Sequence, residues 1–166
     1  PGKRSLEDRP LSANNRSRIG HWEIDTVLGS QDQHCIVTMV ERKTKYSLIG
    51  KLKARSAAEL NRKTIQLIKG TDRTVRSITA DNGTEFHQFK TIEDKTLARF
   101  YFAKPYHSWE RGVNENTNGL IRQYLPKRKS MKHISQKDCD RIANRLNKRP
   151  RKTLDYKTPE ECYEKR

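Results

Sequence analysis

Apolar positions along this chain follow two different periods. Between residues 22 and 52 they gather in three short runs, Trp22–Leu28, Cys35–Glu41 and Tyr46–Leu52. The polar stretches Gly29–Gln33 and Arg42–Lys45 divide them. Ile36-Val37-Thr38-Met39-Val40 is almost continuously apolar and β-branched, as expected of a buried strand. Short polar connections between such runs predict an antiparallel meander.

The period then lengthens. Ser56-Ala57-Ala58-Glu59 reads as a capping box, and Ala57, Leu60, Thr64, Leu67 and Ile68 recur at helical spacing up to Gly70. Val75–Asp81 and Phe100–Ala103 read as a fourth and a fifth strand, with a short helix between them around Thr84–Ile92. Asn82-Gly83 is a strong hairpin signal, but Thr84-Glu85-Phe86-His87 does not alternate as a return strand would. A strand-to-helix turn is therefore expected there. Further helices are expected over Asn114–Leu125, with Leu120, Ile121, Tyr124 and Leu125 apolar, and over Ser135–Lys148, with a stripe of Cys139, Ile142, Ala143 and Leu146. Thr158-Pro159 marks a last helix start, with Pro at the first helical position. Pro1 to Ile19 is polar and basic and reads as a linker or arm.

Composition sharpens this picture. The 166 residues imply one domain. Lys and Arg number 36 against 20 Asp and Glu, for a net charge of +16. Such an excess favours a polyanionic partner, because phosphate contacts by Lys and Arg supply most non-specific nucleic-acid affinity. Leu, Ile, Val and Phe together make up just under a fifth of the chain, at the edge of the disordered class. The periodicity argues for order in the middle of the chain and says less about its ends. Cys35, Cys139 and Cys162 form no Cys-x-x-Cys pair, which speaks against a disulfide framework or a zinc site. No apolar run approaches the ~18 residues of a membrane helix and no signal peptide is legible, so a cytoplasmic location is expected. The chain does not begin with Met and reads as a fragment.

Three carboxylates then stand out. Asp25 lies within the first strand, Asp81 ends the fourth, and Glu115 opens the helix after Asn114. Asp is unfavourable in mid-strand, which makes Asp25 the more informative. Asp81 taken alone reads equally as a turn residue, and Glu115 alone as a complement to a helix dipole. Carboxylates from two strands and a helix in a basic chain suggest an oxygen-rich site for hard divalent cations acting on a polyanion. Glu23 shares a strand face with Asp25 by alternation, and Glu85 lies near Asp81; both are rival acids.

The flanking residues add a resemblance. Gly20-His21-Trp22-Glu23-Ile24-Asp25-Thr26-Val27, Thr79-Ala80-Asp81-Asn82-Gly83-Thr84-Glu85-Phe86 and Trp109-Glu110-Arg111-Gly112-Val113-Asn114-Glu115-Asn116-Thr117-Asn118-Gly119 resemble the catalytic blocks of DDE transposases. They look most like the IS-thirty type of insertion sequence. The 33 residues between Asp81 and Glu115 match its spacing, and Leu146-Asn147-Lys148-Arg149-Pro150-Arg151-Lys152-Thr153-Leu154 resembles its tail. The likeness runs from about Arg18 to Tyr163.

It implies a ribonuclease H-like α/β fold, a mixed five-stranded sheet flanked by helices, with the first and fourth strands as neighbours. The organisation expected is a basic arm over 1–19, a catalytic core over 20–125 and a basic helical extension of the same domain over 126–166. It implies metal-dependent DNA strand cleavage and strand transfer, that is, transposition, recombination and integration. Asp25 would bridge two Mg²⁺ ions, with Mn²⁺ as a substitute, while Asp81 holds one and Glu115 the other. Partners would be DNA at the element ends and target, and further copies of the chain assembled on it, in a bacterial cytoplasm at the nucleoid.

Trp109, Arg111, Asn118, Arg122, Lys148, Arg149, Arg151 and Lys152 are expected at DNA. His107 is more plausibly a solvated loop residue than a proton carrier. A nuclease of the same fold and a catalytically dead DNA-binding remnant are the alternative readings; the three intact carboxylates argue against the second. The helix-turn-helix region that such transposases carry at the N-terminus is not legible here.

Overall fold

The computed structural model describes residues 2–14, 16–104 and 112–164, with Gly112, Asn114 and Glu115 described by their backbone only. Its centre is a five-stranded sheet in the order β3-β2-β1-β4-β5. β1 (His21–Leu28), β2 (Cys35–Glu41) and β3 (Ser47–Leu52) form the expected antiparallel meander. β4 (Ser77–Ala80) lies parallel to β1, and β5 (Arg99–Phe102) parallel to β4. Parallel neighbours need crossover connections. Helix α2 (Ala57–Gly70) makes the first, and a 3-10 turn at Thr84–Phe86 followed by α3 (Phe89–Lys95) makes the second.

Side-chain alternation splits the sheet into two packed faces. Trp22, Ile24, Val37, Met39, Ile78, Phe100 and Phe102 meet Leu60 of α2 and Phe89 and Ile92 of α3 in the main core. On the other face Val27, Ile36 and Ile49 pack against Ile121 of α4 (Gly112–Ile121) and Cys139, Ile142 and Leu146 of α5 (Gln136–Asn147). β2 is buried along its whole length, as its uninterrupted apolar run requires.

Several local expectations need adjusting. Ser56 caps α2 by accepting from the Glu59 N–H, but Glu59 turns its carboxylate to the Lys53 N–H and to Arg62 rather than back to the cap. The full capping box lies on α5 instead, where Ser135 and Asp138 exchange bonds with each other's backbone. The helix expected as far as Leu125 stops at Ile121, so Arg122 to Leu125 form a turn.

Residues 2–14, within the stretch read as an arm, lie against the sheet. Ser5 forms a parallel bridge with Phe102, and Leu6 is buried with Tyr101 and Ala103. The four-residue α1 (Leu11–Asn14) tucks Ala13 out of solvent. Arg9 donates to Thr79 Oγ1 at 3.1 Å, and Ser12 meets the His21 ring at 3.0 Å. Periodicity missed this because the contacts are made by scattered single residues, polar and apolar, not by a stripe.

Candidate active site

β1 and β4 pair in parallel from His21↔Ser77 to Glu23↔Thr79. Extending that register by one pleat sets Asp25 beside Asp81, on strands spaced about 4.8 Å apart. The winding of the sheet reverses between these two strands, and in open α/β sheets such a switch point opens a crevice at the carboxyl ends. Asp81 follows the last residue of β4 and so stands at that end.

Each aspartate is held by a short hydrogen bond. Asp25 Oδ1 accepts from the Thr26 N–H at 2.9 Å, and its Oδ2 from Asn118 Nδ2 of α4 at 3.1 Å. Asp81 Oδ1 accepts from the Gly83 N–H at 2.7 Å, closing a tight turn. Gly83 is required there, because a Cβ would stand 2.9 Å from Asp81 Oδ1 and 2.1 Å from Glu85 Oε1. The Asn82-Gly83 signal therefore marks a turn from strand into helix, as expected. Asn82 fastens the turn outward, donating to the Ala103 carbonyl at 3.1 Å and accepting from Lys3 Nζ at 3.0 Å.

Glu85 is 3% exposed and ties this turn to β1. Its Oε2 accepts from Thr26 Oγ1 at 2.9 Å and from Arg55 Nε at 2.6 Å. Burial pushes its pKa upward, but the Arg55 guanidinium, its own N–H and the Thr26 hydroxyl outweigh that and hold it below the ordinary value. Glu85 Oε1 and Asn118 Oδ1 are buried oxygens without a hydrogen-bond partner among the described residues. The side chains at this end of the sheet offer oxygen donors rather than thiols or imidazoles, the ligand chemistry that hard cations prefer. Among the described residues no three His, Cys, Asp or Glu side chains cluster as a metal site. Glu115 stands on α4 three positions before Asn118, and its side chain lies outside the described residues.

The rival Glu23 is on the face of Asp25, as alternation required, but does other work. It is fully buried in an ion pair with Arg42, whose Nε donates to the Ala13 carbonyl at 2.9 Å. Trp109, Arg111 and His107 lie outside the described residues.

The residues expected at DNA divide. Lys148, Arg149 and Lys152 are exposed; Arg149 reaches Gln123 Oε1 at 3.0 Å. Asn118 turns inward to Asp25, and Arg122 donates to the Leu125 carbonyl at 3.4 Å, in the turn that ends α4. Arg151 is a correction: it is only 8% exposed, and its Nη2 donates to the Leu146 carbonyl at 2.9 Å. A basic run conceals such a residue because charge says nothing about which side chain turns in to satisfy a helix end. Lys3, Thr26 and Arg55 were not singled out from sequence, and Asn82 only as a turn residue. Their roles rest on contacts between distant segments, for which only the turn motif around Asp81 gave a signal.

No family model matches the chain. Among curated proteins it is 42% identical over 163 residues to the transposase for insertion sequence element IS4351 of Bacteroides fragilis, covering 98% of this chain and 50% of that protein. It is 38% identical over 161 residues to transposase InsI for insertion sequence element IS30A of Escherichia coli K12, covering 96% and 42%. The chain thus spans about half the length of these relatives. Among solved structures the catalytic core domain of BIV integrase superposes with a TM-score of 0.64 at 21% identity, covering 86% of this chain and 92% of that one. A simian T-cell lymphotropic virus intasome in complex with PP2A regulatory subunit B56 gamma gives a TM-score of 0.69 at 16% identity, covering 89% and 55%. These structures share its fold: a mixed five-stranded sheet flanked by helices.

Proposed function

Because this chain belongs by sequence with the IS30-type insertion-sequence transposases, we propose that it is their catalytic domain and that it cuts and joins DNA strands by phosphoryl transfer. The observation that supports the reading is the parallel pairing of β1 and β4, whose register carried forward by one pleat sets Asp25 beside Asp81, with α4 fastened to Asp25 through Asn118. Asp25, Asp81 and Glu115 are assigned as the metal-binding carboxylates. Bound there, Mg²⁺ would activate the attacking oxygen and stabilise the leaving 3′-oxygen.

The chain's own residues supply the geometry. Asn118 and the Thr26 N–H orient the Asp25 carboxylate, and the Gly83 N–H orients that of Asp81. Glu85, pinned by Arg55 and Thr26, keeps the Asp81 turn against β1. Fixed ligand geometry matters because Mg²⁺ tolerates little departure from octahedral coordination. DNA at element ends and targets is the proposed substrate, and joining two such DNAs calls for more than one copy of the domain. The exposed Lys148, Arg149 and Lys152 are assigned to DNA phosphates, and Trp109 and Arg111 to the same substrate on sequence grounds.

The test uses Asp25→Asn, Asp81→Asn and Glu115→Gln, each nearly isosteric. All three should abolish Mg²⁺-dependent cleavage of duplexes carrying element ends while leaving DNA affinity nearly intact. Substantial cleavage by any one removes that residue from the site. Full activity in excess chelator would refute the metal mechanism. A pre-nicked 3′-hydroxyl end incubated with plasmid then separates the two enzyme readings, since only a transposase gives joined products.

A further inference from the structure

At the other end of the sheet, where β1 and β4 begin, lies a groove of about 580 Å³. Ser17, Arg18 and Ile19 form one wall, the turn at Lys43-Thr44 and the approach to β4 at Thr74 and Arg76 the floor, and the Leu154–Lys157 turn with Cys162 the far wall. Four cations line it, Arg18, Lys43, Arg76 and Lys157, against one acid, Asp155. All four are exposed. Among the described residues Arg18, Arg76 and Lys157 form no ion pair, while Lys43 Nζ donates to the Ser17 carbonyl at 3.3 Å.

Two features indicate that the cations are held in place rather than merely scattered. Gly20 adopts φ +116°, and the stem of Arg76 lies over it so closely that a Cβ would stand 2.8 Å from Arg76 Cγ. The far wall is a tight turn with Asp155 and Tyr156 at φ 54° and 64°, a left-handed pair that L-residues adopt only at a cost. The backbone bridge Arg151↔Lys157 closes that turn. The field of these cations is also felt inside the protein. Besides burial, Arg76 and Arg18 are the main causes that lower the His21 pKa to about 4.

We propose that this groove is a second DNA-phosphate site, distinct from the carboxylate end of the sheet. From Arg76, just before β4, to Asp81, just after it, the chain advances about 17 Å at strand rise. That corresponds to about five base pairs of duplex at 3.4 Å each. The groove therefore engages DNA well away from the bond being cut, either further along the same duplex or on the second DNA of a joining reaction. Choosing DNA among polyanions rests on the proposed function.

The test measures affinity of the full chain for a long duplex across a salt series, without divalent metal, so that no cleavage intervenes. Arg18→Gln, Arg76→Gln and Lys157→Gln are combined in one variant. Lys69→Gln, Lys95→Gln and Lys137→Gln, exposed elsewhere, form the control. Each lost phosphate contact removes about 0.9 from the slope of log affinity on log salt. The groove variant should lose about 2.7, so its affinity drop between about 50 and about 200 mM salt shrinks by about forty-fold relative to wild type. The control should lose less than one, and both should melt at the wild-type temperature. A groove slope no lower than the control's overturns the site. If wild type fails to cleave yet the groove slope falls, the phosphoryl-transfer reading fails while the groove stands. If wild type cleaves and the groove slope holds, the reverse is true.

Discussion

His21 sits in an environment that takes it well away from its ordinary chemistry. Its ring lies between Ser77 Oγ at 2.7 Å and Ser12 Oγ at 3.0 Å and is 4% exposed. Burial first, then Arg76, Arg18, Arg9 and Arg42, lower its pKa from 6.5 to about 4. The folded state therefore keeps this ring neutral where the unfolded chain already binds a proton. Stability should fall as pH drops from about 6.5 towards 4, and the contribution of this group should level off below that. At about 1.36 kcal/mol per unit, the loss has an upper bound on the order of 3 kcal/mol. Urea melts of wild type and His21→Gln across this window check it. The variant should lose that part of the pH dependence whatever its overall offset, and parallel curves for both would remove His21 as the cause. A lone histidine in the sequence gave no hint of this, because the four arginines around it come from separate segments.

At the scale of elements, the buried pair of Glu23 on β1 and Arg42 after β2 joins the meander to the N-terminal segment, through the Ala13 carbonyl. Glu23→Gln leaves a buried guanidinium facing a neutral amide, and breaking a buried pair in this way costs about 3–5 kcal/mol. The expected outcome is a large drop in denaturation midpoint with cleavage per folded molecule close to wild type. The double variant Glu23→Gln with Arg42→Gln should recover part of the loss. Unchanged stability with cleavage as low as that of Asp25→Asn would instead make Glu23 an active-site acid. Alternation placed Glu23 and Asp25 on one face. It could not tell a proposed metal ligand from an ion-pair partner, because that depends on what covers each position. Glu23 is covered by Arg42, which the Ala13 carbonyl of α1 holds, whereas Asp25 meets Asn118 of α4.

For the whole molecule, a charge of +16 means that DNA affinity should fall steeply and linearly on log–log axes as salt rises. Arg151 makes that prediction discriminating. Lys148→Ala and Lys152→Ala should each lower the slope by about one with little change in stability. Arg151→Ala should leave the slope unchanged and lower the melting temperature, since its guanidinium closes the end of α5 at the Leu146 carbonyl. Fluorescence anisotropy across a salt series, with thermal melts of the same samples, checks both. A loss of slope for Arg151→Ala at unchanged stability would return that residue to the DNA surface.

The sequence by itself determined the elements and their order. A nearly unbroken β-branched run makes β2, short apolar runs between polar turns make its neighbours, helical spacing behind Ser56 and Ser135 makes α2 and α5, and Asp81-Asn82-Gly83 makes the turn that leaves β4 for α3. These are local preferences, set by side-chain shape, capping and backbone freedom within a few residues, so they can be read without knowing the fold. The candidate carboxylates were legible for the same reason, as residues out of place in their local pattern. Tertiary structure alone decided that Glu85 braces the Asp81 turn, that Asn118 turns to Asp25, that Arg151 turns inward and that residues 2–14 dock on the sheet. It also brought Arg18, Lys43, Arg76 and Lys157 to one groove. Apart from Arg151, which meets a carbonyl five residues away, these rest on groups far apart in the chain finding a hydrogen-bond partner or a shared field. Such partners are set by which buried polar groups must be satisfied once the faces of the sheet have closed.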